Sequence, residues 1–153
     1  MKQKFIDYYM DVAERTSKLS YAKRLQVGAI IVKDDRIISV GYNGMPSGWD
    51  NNCEYEDLEF SDVMFGEPPI LVNKGLKTRP EVLHAETNAI AKVSSSTDSS
   101  TGATMFCTHA PCLQCAKLIY QSGIKNLFYK TMYREKDGLE FLQKSNVNVT
   151  KHN

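Results

Sequence analysis

The sequence predicts an α/β fold in which a five-stranded sheet carries helices on both faces. Three observations predict it. Apolar residues recur at near-helical spacing at the start, two β-branched runs flank a short turn, and beyond residue 84 helical and strand patterns alternate. At 153 residues the chain is the length of one domain with one core, 1–153.

Each element has its own reason. Phe5, Ile6, Tyr9, Met10, Val12 and Ala13 form one apolar stripe, so the first twenty residues read as an amphipathic helix. Residues 27–33 and 36–43 are β-branched runs separated by Asp34 and Asp35, a hairpin by composition and length. Residues 44–80 hold most of the turn formers, the single Trp49, and an acidic run of Glu54, Glu56, Asp57, Glu59 and Asp62. A connection of that length serves as a functional loop or carries short elements of its own, and its acids read as a solvated surface. Residues 84–93 read as a helix, 94–102 as a solvated loop and 104–108 as a strand. Then 111–123 is a helix with Pro111 in its first turn and Gly123 at its end, and 126–129 is a strand. Residues 138–144 form a last short helix and 147–149 a last strand. No repeat of fixed period is present, which excludes a solenoid.

Composition bounds the function. Hydrophobic residues are 42% and charged residues 24%, a globular balance that excludes a disordered or disulfide-scaffold chain. Nineteen basic against eighteen acidic side chains leave a net charge of +1, so no global field draws the protein to nucleic acid or an anionic membrane. The first twenty residues lack a signal-peptide core, and no run approaches the roughly 18 apolar residues of a membrane span. Both features place the chain in the cytoplasm, where Cys53, Cys107, Cys112 and Cys115 point to metal or catalytic chemistry rather than disulfides.

Cys112 and Cys115, three apart on a predicted helix, lie about 60° apart around it and can reach one ion. The helix's positive end lowers thiol pKa there. His84, in the first turn of the preceding helix, adds an imidazole. Two thiolates and one imidazole suit Zn²⁺, and three protein ligands leave a position for water. Glu86 lies about 200° around the helix from His84, poorly placed as a ligand and available as a proton shuttle. A zinc-stabilised module without catalysis is the competing reading. It would normally close the fourth ligand position and has no use for Glu86.

His84-Ala85-Glu86 with Pro111-Cys112-Leu113-Gln114-Cys115 resembles the signature of the zinc deaminases, the cytidine deaminase superfamily. Residues 20–50 and 80–130 further resemble the deoxycytidylate (dCMP) deaminases within it. The resemblance implies a three-layer α/β/α sandwich around a mixed five-stranded sheet, and a zinc-activated water attacking C4 of the cytosine ring. Glu86 would take that water's proton, pass it to N3 and assist departure of ammonia, converting dCMP to dUMP for thymidylate synthesis. It also implies a homo-oligomer, commonly a hexamer, activated by dCTP and inhibited by dTTP with Mg²⁺ beside the triphosphate.

Asn43 reads as a turn residue, and by the resemblance as a contact to the sugar hydroxyl. Arg24 reads as a solvated charge or, by the resemblance, as a holder of the 5′-phosphate. Asn88, Thr108, Tyr129 and Tyr133 are further pocket candidates, each tyrosine reading equally as a core or rim residue. Cys107 reads as a small buried hydrophobe and Cys53 as inert. With His109 and His152 they form no recognisable closed metal set. His109 departs from the apolar or small residue usual at that place in the family, which puts the local pocket wall in doubt.

Overall fold

The computed structural model describes residues 1–61 and 68–153. Its centre is a five-stranded mixed sheet of β1 (Gly28–Lys33), β2 (Arg36–Tyr42), β5 (Thr104–His109), β6 (Asn126–Thr131) and β7 (Asn148–Lys151), in the order β2-β1-β5-β6-β7. β1 runs antiparallel to both neighbours, while β5, β6 and β7 are parallel. Helix α1 (Gln3–Ser17) covers one face; α2 (Ala85–Ser94), α3 (Leu113–Gln121) and α4 (Asp137–Lys144) cover the other. These are the expected three layers.

Side-chain alternation along β1 builds both cores. Ile30 and Val32 meet Tyr9, Met10, Ala13 and Phe106 on the α1 side, whereas Ala29 and Ile31 join Ala85, Ala89, Met105 and Ile119 on the other. A strand buried on both faces needs apolar residues at every position, which is why residues 29–32 show no polar alternation. Asp34 and Asp35 both take positive φ, 49° and 58°, the two left-handed residues of a tight hairpin turn whose twist matches the strands. The Tyr9 hydroxyl donates to Asp35 O at 2.9 Å and ties that turn to α1.

Close backbone approach sets where α2 lies. A Cβ at Gly41 would stand 2.1 Å from Ala85 O and 2.6 Å from Ala89 N. The helix bearing Ala85 and Glu86 therefore rests on β2 only because that position has no side chain. Gly41→Ala is expected to destabilise the fold by about 1–3 kcal/mol or more, as overpacked cores do. Chemical denaturation measures this, and an unchanged midpoint would show that α2 can move away freely.

The segment unassigned from sequence contains a separate two-stranded antiparallel sheet, β3 (Glu54–Phe60) and β4 (Leu71–Thr78). Most of its side chains are exposed, and its acids are largely solvated as expected. Glu54 is the correction: it is buried, because its carboxylate is a structural acceptor. Asp62 of the acidic run lies outside the described residues.

Candidate metal and substrate site

The site forms where two helix N-termini converge beside the C-terminal ends of β5 and β6, the usual place for ligands in an α/β sheet. His84 is the N-cap of α2 and Cys112 the N-cap of α3, both with extended backbone. This corrects the helical-wheel expectation. Cys112 precedes the first helical residue, Pro111 lies one residue further out, and the 60° offset does not describe the pair. The thiols nonetheless converge. His84 Nδ1 lies 3.3 Å from Cys115 Sγ and 3.7 Å from Cys112 Sγ, with all three donor atoms within 4.8 Å of one another.

Those separations fit a tetrahedral zinc. Usual Zn–S and Zn–N bond lengths of about 2.3 and 2.0 Å put adjacent sulfur and nitrogen ligands about 3.5 Å apart. Protonation agrees with the geometry. A hydrogen bond from the Cys115 thiol and then one from His84 stabilise the Cys112 thiolate, bringing its pKa down to about 3. The same hydrogen bond to Cys112, with burial, pushes the Cys115 thiol well up. The pair thus gives up one proton readily and resists losing the second beside an existing negative charge, a resistance that a divalent cation relieves. Pairing with Cys112 raises the His84 pKa despite burial.

Glu86 is buried in the first turn of α2, and burial raises its pKa against the pull of its own backbone N–H and His84. It lines a cavity of about 390 Å³ together with His84 and Cys112. Cys115 lies beneath, 1% exposed. Arg24, Tyr133 and Arg134 line the same cavity. A buried carboxylate and two arginines lining one cavity suit a ligand that is neutral where it reacts and anionic at its tail.

Of the pocket candidates, Asn43, Arg24 and Tyr133 line the cavity. The Asn43 amide is largely committed to backbone: Oδ1 accepts Val27 N–H at 2.7 Å and Nδ2 donates to Leu25 O at 2.9 Å. A two-way bridge between Gly44 and Leu83 then holds this loop beside His84. Arg24 Nη1 donates to Thr78 Oγ1 at 2.9 Å, and the backbone N–H groups of Lys23 and Arg24 donate to Glu54 Oε1 at 3.0 and 3.1 Å.

Three candidates lie elsewhere. Asn88 donates to Tyr42 O at 2.8 Å and pins α2 to β2. Thr108 is buried and accepts Gly28 N–H at 3.1 Å, and Tyr129 packs in the core beneath α2, α3 and α4. Arg134, Glu54 and His109 line the cavity without having been site candidates from the sequence. Arg134 and Glu54 leave no signal, being one charge among many, whereas His109 was visible as a departure. Cys107 and Cys53 are buried, and burial raises both thiol pKa values, in keeping with inert thiols.

Comparison with known proteins agrees with this geometry. The profile of the family described as "Cytidine and deoxycytidylate deaminase zinc-binding region" matches residues 3–131. The deoxycytidylate deaminase of Enterobacteria phage T4 is 35% identical over 147 residues, spanning 81% of this chain and 76% of its own. That of Homo sapiens is 38% identical over 133 residues, spanning 86% and 67%. The crystal structure of dCMP deaminase from the cyanophage S-TIM5, in complex with dCMP and dUMP, superposes with a TM-score of 0.83 at 40% identity over 99% of both chains. With its mixed sheet, its HAE and PCLQC segments meeting at one cavity, and a profile match over most of its length, the chain belongs to the cytidine and deoxycytidylate deaminase zinc-binding family.

Proposed function

We propose that the chain is a zinc-dependent dCMP deaminase that hydrolyses the C4 amino group of dCMP to give dUMP and ammonia. The observation that carries this is the convergence of the His84, Cys112 and Cys115 donors at a cavity lined by Glu86, Arg24 and Arg134. A zinc ion held by His84 Nδ1, Cys112 Sγ and Cys115 Sγ would polarise a water and lower its pKa toward neutrality. Glu86 is the catalytic residue. Its carboxylate accepts a proton from the attacking water, delivers it to N3, and serves again as the amino nitrogen leaves as ammonia. Burial moves its pKa toward working pH, which a group that both takes and gives a proton requires.

Arg24 and Arg134 hold the 5′-phosphate, and Tyr133 packs at the rim. Asn43 shapes the loop beneath the sugar; its amide retains one N–H for a sugar hydroxyl. Asn88, Thr108 and Tyr129 act as supports of these walls. Glu54 is a positioning residue, fixing the backbone from which Arg24 reaches out.

The same reading takes residues 1–153 as one deaminase domain in the cytoplasm, supplying dUMP for thymidylate synthesis. It extends to a hexamer activated by dCTP and inhibited by dTTP, with Mg²⁺ beside the triphosphate, on the family resemblance alone. No described helix is long and apolar enough to cross a membrane.

The test is ammonia release from equal dCMP, deoxycytidine and cytosine by the zinc-loaded protein. The expected order is dCMP far above deoxycytidine, with cytosine inactive. Preference for deoxycytidine would remove the phosphate from the reading. A zinc-loaded, folded protein that releases no ammonia would point instead to a non-catalytic module.

A further inference from the structure

His109 ends β5 and lines the cavity, yet the chemistry above gives it no part. Its ring is fixed from one side. Nδ1 lies 3.0 Å from Thr108 Oγ1, and that oxygen already accepts the Gly28 backbone N–H at 3.1 Å. Thr108 is buried, and a buried hydroxyl hydrogen left without an acceptor carries a desolvation penalty. Among the described residues, His109 Nδ1 is the one acceptor that this hydroxyl meets. The hydroxyl therefore donates to Nδ1, and in the neutral ring the hydrogen must then sit on Nε2. Nε2 has no protein partner among the described residues, so the ring offers the cavity a donor.

The fold also places that donor. His109 is in register with Thr131 on β6, and Ala110 N–H donates to Thr131 O at 2.9 Å. The imidazole thus stands at the root of the 131–134 segment, which brings Tyr133 and Arg134 to the cavity. Resting on the proposed function, we infer that His109 donates from Nε2 to a phosphate oxygen of the nucleotide beside Arg134, with Thr108 as the positioning residue that sets its tautomer. Burial also lowers the imidazole pKa, so the ring adds direction rather than a further cation.

The experiment has a spectroscopic and a kinetic arm. Heteronuclear NMR of the imidazole nitrogens in the zinc-loaded protein, with His109 assigned by its loss in His109→Ala, should show hydrogen on Nε2 and none on Nδ1. Adding dUMP should shift Nε2, and adding 2′-deoxyuridine should leave it unchanged. His109→Ala should raise KM for dCMP about tenfold or more, the range of a hydrogen bond to a charged group, with a much smaller change in kcat. KM for deoxycytidine should not move. Thr108→Ser should keep the wild-type tautomer and KM, and Thr108→Val should lose both. Should Thr108→Val fail to fold, the wild-type and serine spectra still decide the tautomer. Hydrogen on Nδ1, or equal losses for dCMP and deoxycytidine in His109→Ala, would overturn the inference. Failure of the wild type to deaminate either substrate would sink the proposed function instead, while the tautomer and the dUMP shift would still report on His109.

Discussion

Cys115→Ala is expected to lose its zinc and, with it, about a thousandfold or more in deamination rate, since a metal supplies several kcal/mol of transition-state stabilisation and each 1.4 kcal/mol is a factor of ten. The reason is geometric. Cys115 is 1% exposed beneath the cavity and 3.3 Å from His84 Nδ1, so no water fills its place in the donor triangle without reopening the core. Cys112 and His84 alone leave a two-ligand site, below the three a catalytic zinc ordinarily has. Metal content measured against protein should fall from one zinc per chain to background. Chelator-treated wild type should show the same loss and recover on adding zinc, whereas the variant should not. A Cys115→Ala protein that keeps one tightly bound zinc would take Cys115 out of the ligand set.

The helices and strands of the main sheet were legible because burial had written a period into each. Residues 29–32 lie between two helical layers and are uniformly apolar; α1 has one buried face and an interrupted pattern. β3 and β4 were not legible. Asp57 and Leu58 break the alternation of β3, Leu71 and Val72 stand side by side in β4, and most of their side chains are exposed, so no sustained period of two marks them. Chemistry and direction also separate in the site. His84, Cys112 and Cys115 could be read from residue type and spacing, because metal ligation constrains both, and Glu86 from its place two residues after His84. Which of Thr108 and His109 enters the cavity depends on a strand's pleat, where one residue reverses the face. The pleat turns Thr108 inward to Gly28 and sets His109 at the cavity wall. Tyr129, opposite Cys107 across β5 and β6, falls on the core side by the same rule.

Glu86→Gln should lower deamination by roughly a hundredfold to ten-thousandfold while leaving zinc bound, the span that a positioned acid-base group contributes. Glutamine keeps the shape and one carbonyl acceptor but cannot take a proton from the water and return it at N3. Its effect therefore falls on kcat, with KM for dCMP little changed, because binding of the nucleotide is assigned to other residues of the cavity wall, Arg24 and Arg134. The stability change should run the opposite way. Folding the wild type desolvates the Glu86 carboxylate in the first turn of α2, a cost that raises its pKa and that a neutral amide avoids. The glutamine variant should thus melt no lower than the wild type, so that lost activity cannot be charged to unfolding. Full activity in a zinc-loaded Glu86→Gln protein would falsify the shuttle assignment, and a low melting temperature would show that the carboxylate supports the fold rather than the chemistry.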